Sequence, residues 1–108
     1  QGVSHQLADV ATRVQASRLL VHSAAAAHDS GITPTTEAAA MAKLFATETA
    51  MHAIDVAIQI HGAVALERGH LLEHLYRDAR GTRIYEGASE VQREIIARQL
   101  FRRAGRES

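Results

Sequence analysis

Cysteine and tryptophan are absent from the chain, proline occurs once, at Pro34, and phenylalanine and tyrosine occur twice each. Without cysteine there is no disulfide framework and no thiolate metal site, and the redox compartment leaves no trace in the composition. So little proline and so few aromatics, set against abundant alanine, suit helices and disfavour strands. Net charge is lacking too. Lys+Arg and Asp+Glu number 12 each, so nothing electrostatic singles out a nucleic acid or an anionic membrane as the main partner. The apolar runs are short and broken by His, Asp or Glu, and neither a membrane span nor a signal peptide is read from them. A soluble interior location is the expectation.

What is present is enough to fold. At 108 residues with 46% hydrophobic and 22% charged, the chain falls within the globular range and has room for a single core. Opening on Gln1 rather than Met, it reads as a processed product, an expressed segment or a piece of something longer. From His5 to about His28, Leu7, Val10, Ala11, Val14, Ser17, Val21, Ala24 and Ala25 recur at the spacing of one helix face. Asp29-Ser30-Gly31 supplies a stop. Thr33-Pro34 should cap a second helix, with Glu37 near its positive end and Ala38, Met41, Ala42, Phe45, Thr49, Ala53, Val56, Ala57 and Ile60 along its apolar face. It should close near His61-Gly62. Residues 62–69 read as a loop, and a shorter helix over Leu71–Arg80 should turn Leu72, Leu75 and Tyr76 inward. Ser89-x-x-Gln92 matches a capping box that opens a last helix, with Val91, Ile95, Ile96 and Leu100 as its apolar face and a frayed polar tail from Arg102. Four helices on brief connections suggest an all-α, up-and-down four-helix bundle.

Two sets of residues invite a chemical reading. His70-Leu71-Leu72-Glu73-His74 fits the H-x-x-E-H spacing of one group of zinc peptidases. It begins at the edge of a short helix with no companion signature, so chance spacing on a solvated helix start is preferred and no metal is assigned. Glu86 is more informative. It stands outside the helical pattern, between Tyr85 and Gly87, just ahead of a capped helix. The helix dipole would favour its ionised form, and burial against an apolar ligand would raise its basicity, which is how a general base is tuned. Gly87 leaves room for a substrate to approach. On residues alone, a solvated turn glutamate remains the preferred reading, and pattern by itself does not promote Glu86 to a base.

The stretches Met41-Ala42-Lys43-Leu44-Phe45, Gln59-Ile60-His61-Gly62, Leu75-Tyr76-Arg77-Asp78-Ala79-Arg80 and Ile84-Tyr85-Glu86-Gly87-Ala88-Ser89-Glu90-Val91-Gln92, followed by Ile96-Ala97-Arg98, resemble the carboxy-terminal domain of acyl-CoA dehydrogenases in order and spacing. Leu7-Ala8-Asp9 and the alanine-rich end of the first helix extend the likeness over nearly the whole chain. The resemblance implies that residues 1–108 form one helical-bundle domain, with the amino-terminal helical and middle β-domains of full-length members absent. It implies FAD held between the middle domain and this bundle, a neighbouring bundle over the adenosine end, and a homotetramer of complete chains.

Carried over by position, Glu86 is the expected catalytic base, removing the α-proton of an acyl-CoA. The β-hydrogen leaves as hydride to the flavin, giving a trans-2-enoyl-CoA. A carboxylate with an ordinary value of about 4.3 needs desolvation at the bound thioester to serve. The backbone N–H at Glu86 would contact the thioester carbonyl, and Glu86 and Gly87 are the expected substrate contacts. Gln59, Ile60, His61, Gly62 and Ala63 would meet FAD adenosine from the adjoining subunit, and Ala88, Ser89 and Glu90 would lie beside the flavin. Many relatives have glycine where Ala63 stands and threonine where Ala88 stands. Tyr76, Arg77 and Asp78 are expected to form a structural cluster of helix-spaced charges. An electron-transferring flavoprotein is the implied electron acceptor. The cytoplasm of a bacterium is the expected location, or the mitochondrial matrix in a eukaryote. The isolated domain should be inactive. The other reading is a stand-alone helical association module without catalytic activity.

Overall fold

The second helix is the element on which everything else rests. The computed structural model describes residues 1–31, 35–84 and 88–107, with residues 106 and 107 described by backbone alone. Within them lie four helices, α1 (Gly2–Asp29), α2 (Thr36–His61), α3 (Leu71–Thr82) and α4 (Ser89–Glu107), with a 3-10 turn over Ala63–Leu66 between α2 and α3. The all-α, four-helix expectation holds. Among the described residues α1, α3 and α4 each pack on α2, and none of the three packs on another. The shape follows. The radius of gyration is 16.8 Å and the extents are 54 × 30 × 26 Å, against about 13 Å for a compact domain of this length.

The burial pattern of α2 reflects this central position. Ala40, Ala42, Thr49 and Met51 are buried, and at about 100° per residue Ala40 and Ala42 point to nearly opposite sides, as do Thr49 and Met51. A single apolar stripe was the expectation. Two faces are covered because α2 has α1, α3 and α4 all packed against it, and a helix with several neighbours is apolar on more than one face.

Helix α1 shows the converse. Nothing on it is buried; Val10, Ala16, Ser17, Leu20, Ala24 and Ala27 are half-covered. Leu7, Val14 and Val21, expected on the covered face, are exposed. One neighbour covers only one narrow stripe, so most of a broad apolar face stays in solvent. The helix starts at Gly2, earlier than expected, and ends as anticipated: Ser30 N–H bonds Ala26 O at 3.0 Å, Gly31 N–H bonds His28 O at 3.2 Å, and Gly31 takes φ +73°.

The proposed Thr33-Pro34 cap lies outside the described residues; α2 begins at Thr36, with Thr35 before it. Its far end closes at Gly62, φ +79° and ψ −160°, whose N–H bonds Ile58 O at 2.8 Å. The segment expected as plain loop contains the 3-10 turn, and Ala65 within it is fully buried. Helix α3 runs through Gly81 to Thr82, two residues past the expected end. Leu72 is half-buried, but Leu75 and Tyr76 are exposed, since among the described residues α3 packs on α2 and the 3-10 turn alone. On α4, Ile95 and Ile96 are half-buried while Val91, Leu100 and Phe101 are exposed. The tail expected to fray is helical to Glu107, and Arg103 forks onto Glu37 near the start of α2, Nη1 to Oε2 at 2.7 Å and Nη2 to Oε1 at 2.9 Å.

Candidate active site

Between the end of α3 and the start of α4, long-range polar contacts converge on α2. Glu48, near the middle of α2, accepts two hydrogen bonds at Oε1, from Ser89 Oγ at 2.7 Å and from Arg83 Nε at 3.1 Å. Ser89 is buried, and the Glu48 and Arg83 side chains are about one-third exposed. The Ser89 hydroxyl bond holds the Glu48 carboxyl below the usual carboxylate range; burial works against it, and the charges of Arg83 and Arg93 add to the lowering. A carboxylate so stabilised is a poor base and a good anchor.

Beside this contact opens a pocket of about 130 Å³ lined by Arg80, Arg83, Ile84, Ala88, Ser89 and Glu90. Its charges are mixed: Arg80, Arg83 and the positive end of α4 stand against Glu90, and Arg83 is paired with Glu48. Tyr85, Glu86 and Gly87 lie outside the described residues; Ile84 and Ala88, their neighbours in sequence, both line the pocket. Of the residues expected near flavin, Ala88, Ser89 and Glu90 therefore share one pocket. The expected capping box takes another form. Ser89 is the first residue inside α4, Ala88 O accepts the Gln92 N–H at 3.1 Å, and the Ser89 hydroxyl is donated to Glu48, because an ionised acceptor binds it more strongly than backbone would.

Gln59, Ile60, His61, Gly62 and Ala63 form a second, separate patch. His61 is thirteen residues from Glu48 along α2, about 20 Å at the helical rise. All five are exposed. His61 Nδ1 lies 2.8 Å from Ala57 O, and its ring meets that of His70 edge-on with centroids 6.1 Å apart. A side chain at Gly62 would meet open space, so glycine is needed there for its backbone angles rather than for room.

The His70-to-His74 stretch is engaged internally. His70 caps α3, Nδ1 accepting the Leu72 N–H at 3.1 Å; Glu73 holds Arg77 at 2.6 Å, and His74 Nε2 lies 3.1 Å from Asp78 Oδ2. These are the helix-spaced pairs expected around Arg77 and Asp78. Among the described residues no three His, Asp or Glu side chains are grouped so as to hold a metal ion, and no helix is long and apolar enough to cross a membrane.

Sequence reasoning missed Glu48 and Arg83. The available signal was an acid on a mostly apolar helix with no Lys or Arg three or four residues away, since its helical neighbours are Leu44, Phe45, Met51 and His52. Such an acid must find its cation on another element.

Comparison with known proteins bears on these positions. The family profile described as acyl-CoA dehydrogenase, C-terminal domain, matches residues 1–101. An acyl-CoA dehydrogenase of Bacillus subtilis is 46% identical over 101 residues, covering 94% of this chain and 26% of that protein. An NADH-dependent acryloyl-CoA reductase of Anaerotignum propionicum is 44% identical over 103 residues, 95% of this chain and 26% of that protein. A solved structure described as the electron transferring flavoprotein of Acidaminococcus fermentans superposes with a TM-score of 0.89 at 40% identity, over 94% of this chain and 27% of that one. The FAD complex of PigA does so at 0.88 and 33%, over 95% and 27%. The chain thus spans about a quarter of the length of the relatives it matches. With the profile running through all four helices and both residue patches, the chain belongs to the acyl-CoA dehydrogenase family and is built as its C-terminal domain.

Proposed function

We propose that this chain works as the C-terminal helical domain of a longer FAD-dependent oxidoreductase, containing an amino-terminal helical and a middle β-domain, that forms or reduces the α,β double bond of an acyl-CoA. The observation that carries the reading is the pocket lined by Arg80, Arg83 and Ile84, which precede Glu86 in sequence, and by Ala88, Ser89 and Glu90, which follow it. In the dehydrogenating direction Glu86 takes the α-proton as general base, a hydride leaves the β-carbon, and the thioester becomes a trans-2-enoyl-CoA. FAD, when bound, accepts that hydride. Gly87 keeps the approach to Glu86 open, and the backbone N–H at Glu86 holds the thioester carbonyl as negative charge develops on it. Glu48 and Glu90 are poorer candidates for base: the first is committed to Ser89 and Arg83, the second is exposed.

The pocket is smaller than the roughly 300–1,000 Å³ that enclose a small molecule, so the described residues would meet FAD along an edge and not enclose it. Ala88, Ser89 and Glu90 would border it at the positive end of α4. Gln59, Ile60, His61, Gly62 and Ala63, on an exposed helix end, would meet the adenosine of a neighbouring subunit's cofactor in a homotetramer. An electron-transferring flavoprotein is the proposed redox partner, supported by the Acidaminococcus fermentans match, in fatty-acid metabolism of a bacterial cytoplasm. Both directions remain within the reading, because the Anaerotignum propionicum relative is described as a reductase and the reverse reaction uses the same base as its acid. Alone, these 108 residues should turn over little or nothing, since flavin and thioester would not be held in register.

The test is Glu86→Gln in the complete, flavin-loaded protein. The flavin absorption should persist while exchange of the acyl-CoA α-proton with solvent deuterium falls about 10²- to 10⁴-fold, the usual contribution of a positioned base. Exchange at the unaltered rate would place the base elsewhere.

A further inference from the structure

The proposed reaction gives Glu48 no part, yet its geometry connects it to the segment that carries the chemistry. A single oxygen of Glu48 receives Arg83 Nε at 3.1 Å and Ser89 Oγ at 2.7 Å, from residues 35 and 41 positions away in sequence. Arg83 directly follows α3 and Ser89 opens α4, so the two donors stand on either side of residues 85–87. Because both reach the same atom, they lie within about 6 Å of each other. Helices α3 and α4 do not pack together among the described residues. The spacing of the two stems is therefore set through α2, and Glu48 is where α2 grips both.

We propose that Glu48 is a positioning residue, its carboxylate fixing the end of α3 and the first turn of α4 at the separation from which Glu86 is offered to the acyl thioester. This rests on the reading of Glu86 as the base. The grip is stiff for physical reasons. Hydrogen bonds to an ionised acceptor are about twice as strong as neutral ones, and Ser89 is buried, so water competes poorly for its hydroxyl. Ser89 and the charges of Arg83 and Arg93 also keep the Glu48 carboxyl ionised further into acid than an ordinary carboxyl. A displacement of about 1 Å at a reacting group can cost on the order of a hundredfold in rate, so a loose stem would be felt in turnover before it was felt in binding.

The experiment compares Glu48→Gln and Glu48→Leu in the complete, flavin-loaded protein. Glutamine keeps an acceptor oxygen at the same reach, and leucine removes it. The expected result is a graded fall in kcat, roughly tenfold or more for leucine and less for glutamine, with KM within about twofold of the parent and flavin absorption retained. Arg83→Leu combined with Glu48→Leu should fall short of the product of the single losses, because the two side chains act as one unit. Amide exchange at Ile84 and at Glu90 to Gln92 should quicken in Glu48→Leu, or in Glu48→Gln if the leucine variant fails to fold. A kcat within twofold of the parent in both Glu48 variants, losses that multiply with that of Arg83→Leu, or unaltered amide exchange would each overturn the proposal. Glu86→Gln measured alongside separates the two ideas. Turnover surviving that change overturns the base assignment whatever Glu48 does; turnover lost there but full in both Glu48 variants overturns the positioning role alone.

Discussion

Shortening Met51 to alanine tests whether α2 is the structural centre. Met51 is 4% exposed, and truncation removes three heavy atoms beyond Cβ. At about 0.8 kcal/mol per buried methylene, the transfer loss is about 2–2.5 kcal/mol. A cavity adds to that, and core Met→Ala changes span about 2–5 kcal/mol. The open packing around α2 lets neighbouring side chains relax toward the gap, which favours the lower half, about 2–3.5 kcal/mol. A domain of this length has only some 5–15 kcal/mol in total. With a urea slope of about 1.5 kcal/mol per molar, the midpoint should move down by about 1.3–2.3 M in urea unfolding followed by helical circular dichroism. Leu71→Ala and Phe101→Ala are the controls. Those side chains are 66% and 76% exposed, and truncation should stay within about 0.5 kcal/mol. If Met51→Ala cost no more than the controls, α2 would not be the helix that unites the others.

Gly62→Ala should cost about 1–3 kcal/mol, because φ +79° with ψ −160° is a region nearly closed to side-chain-bearing residues; Gly62→Asn should be no better, which thermal unfolding of both variants would check. Stability should decline on acidification partly through Glu48: its carboxyl is lowered in the folded state by Ser89 and Arg83, so its contribution is complete above the unfolded value of about 4.3 and lost as pH falls through the lower folded-state value. Glu48→Gln should flatten that dependence in acid unfolding curves and leave the curve near neutrality parallel to the parent. Arg103→Ala should remove no more than about 1 kcal/mol, since that side chain is 52% exposed and such pairs are weak, while amide exchange in the last turns of α4 quickens.

The helices were legible because each carries its own punctuation. Asp29-Ser30-Gly31 and His61-Gly62 end α1 and α2 where expected, and both rely on glycine at positive φ. Which face of each helix is covered was far less legible. Leu7, Val14 and Val21 follow a proper helical period and yet stay exposed, since periodicity states that an apolar face exists and says nothing about how many neighbours cover it. Helix α2 fails the same inference in the opposite sense: its buried alanines, Ala40 and Ala42, point to nearly opposite sides, and a stripe search finds only one of them. Ala65 was read as part of a loop, although a small apolar residue between two helices is also what a buried corner requires.

The candidate site divides along the same line. Glu86 stood out through local context, a carboxylate between an aromatic residue and glycine before a helix start, together with a family likeness that runs in register on both sides. Glu48 had no such context, because its partners are 35 and 41 residues away and only folding brings them together. Glu86 lies outside the helical pattern, so its local context marks it in the sequence. Glu48 lies inside a regular helix and looks like any other helical residue. What can betray it is unbalanced charge: an acid on an apolar helix without a cation one turn away must be answered from another element. On α2, Asp55 has the same profile, with no Lys or Arg three or four residues off, but it is exposed and water can answer it. Burial decides which of two similar acids becomes a tether, and that quantity exists only once the helices have packed.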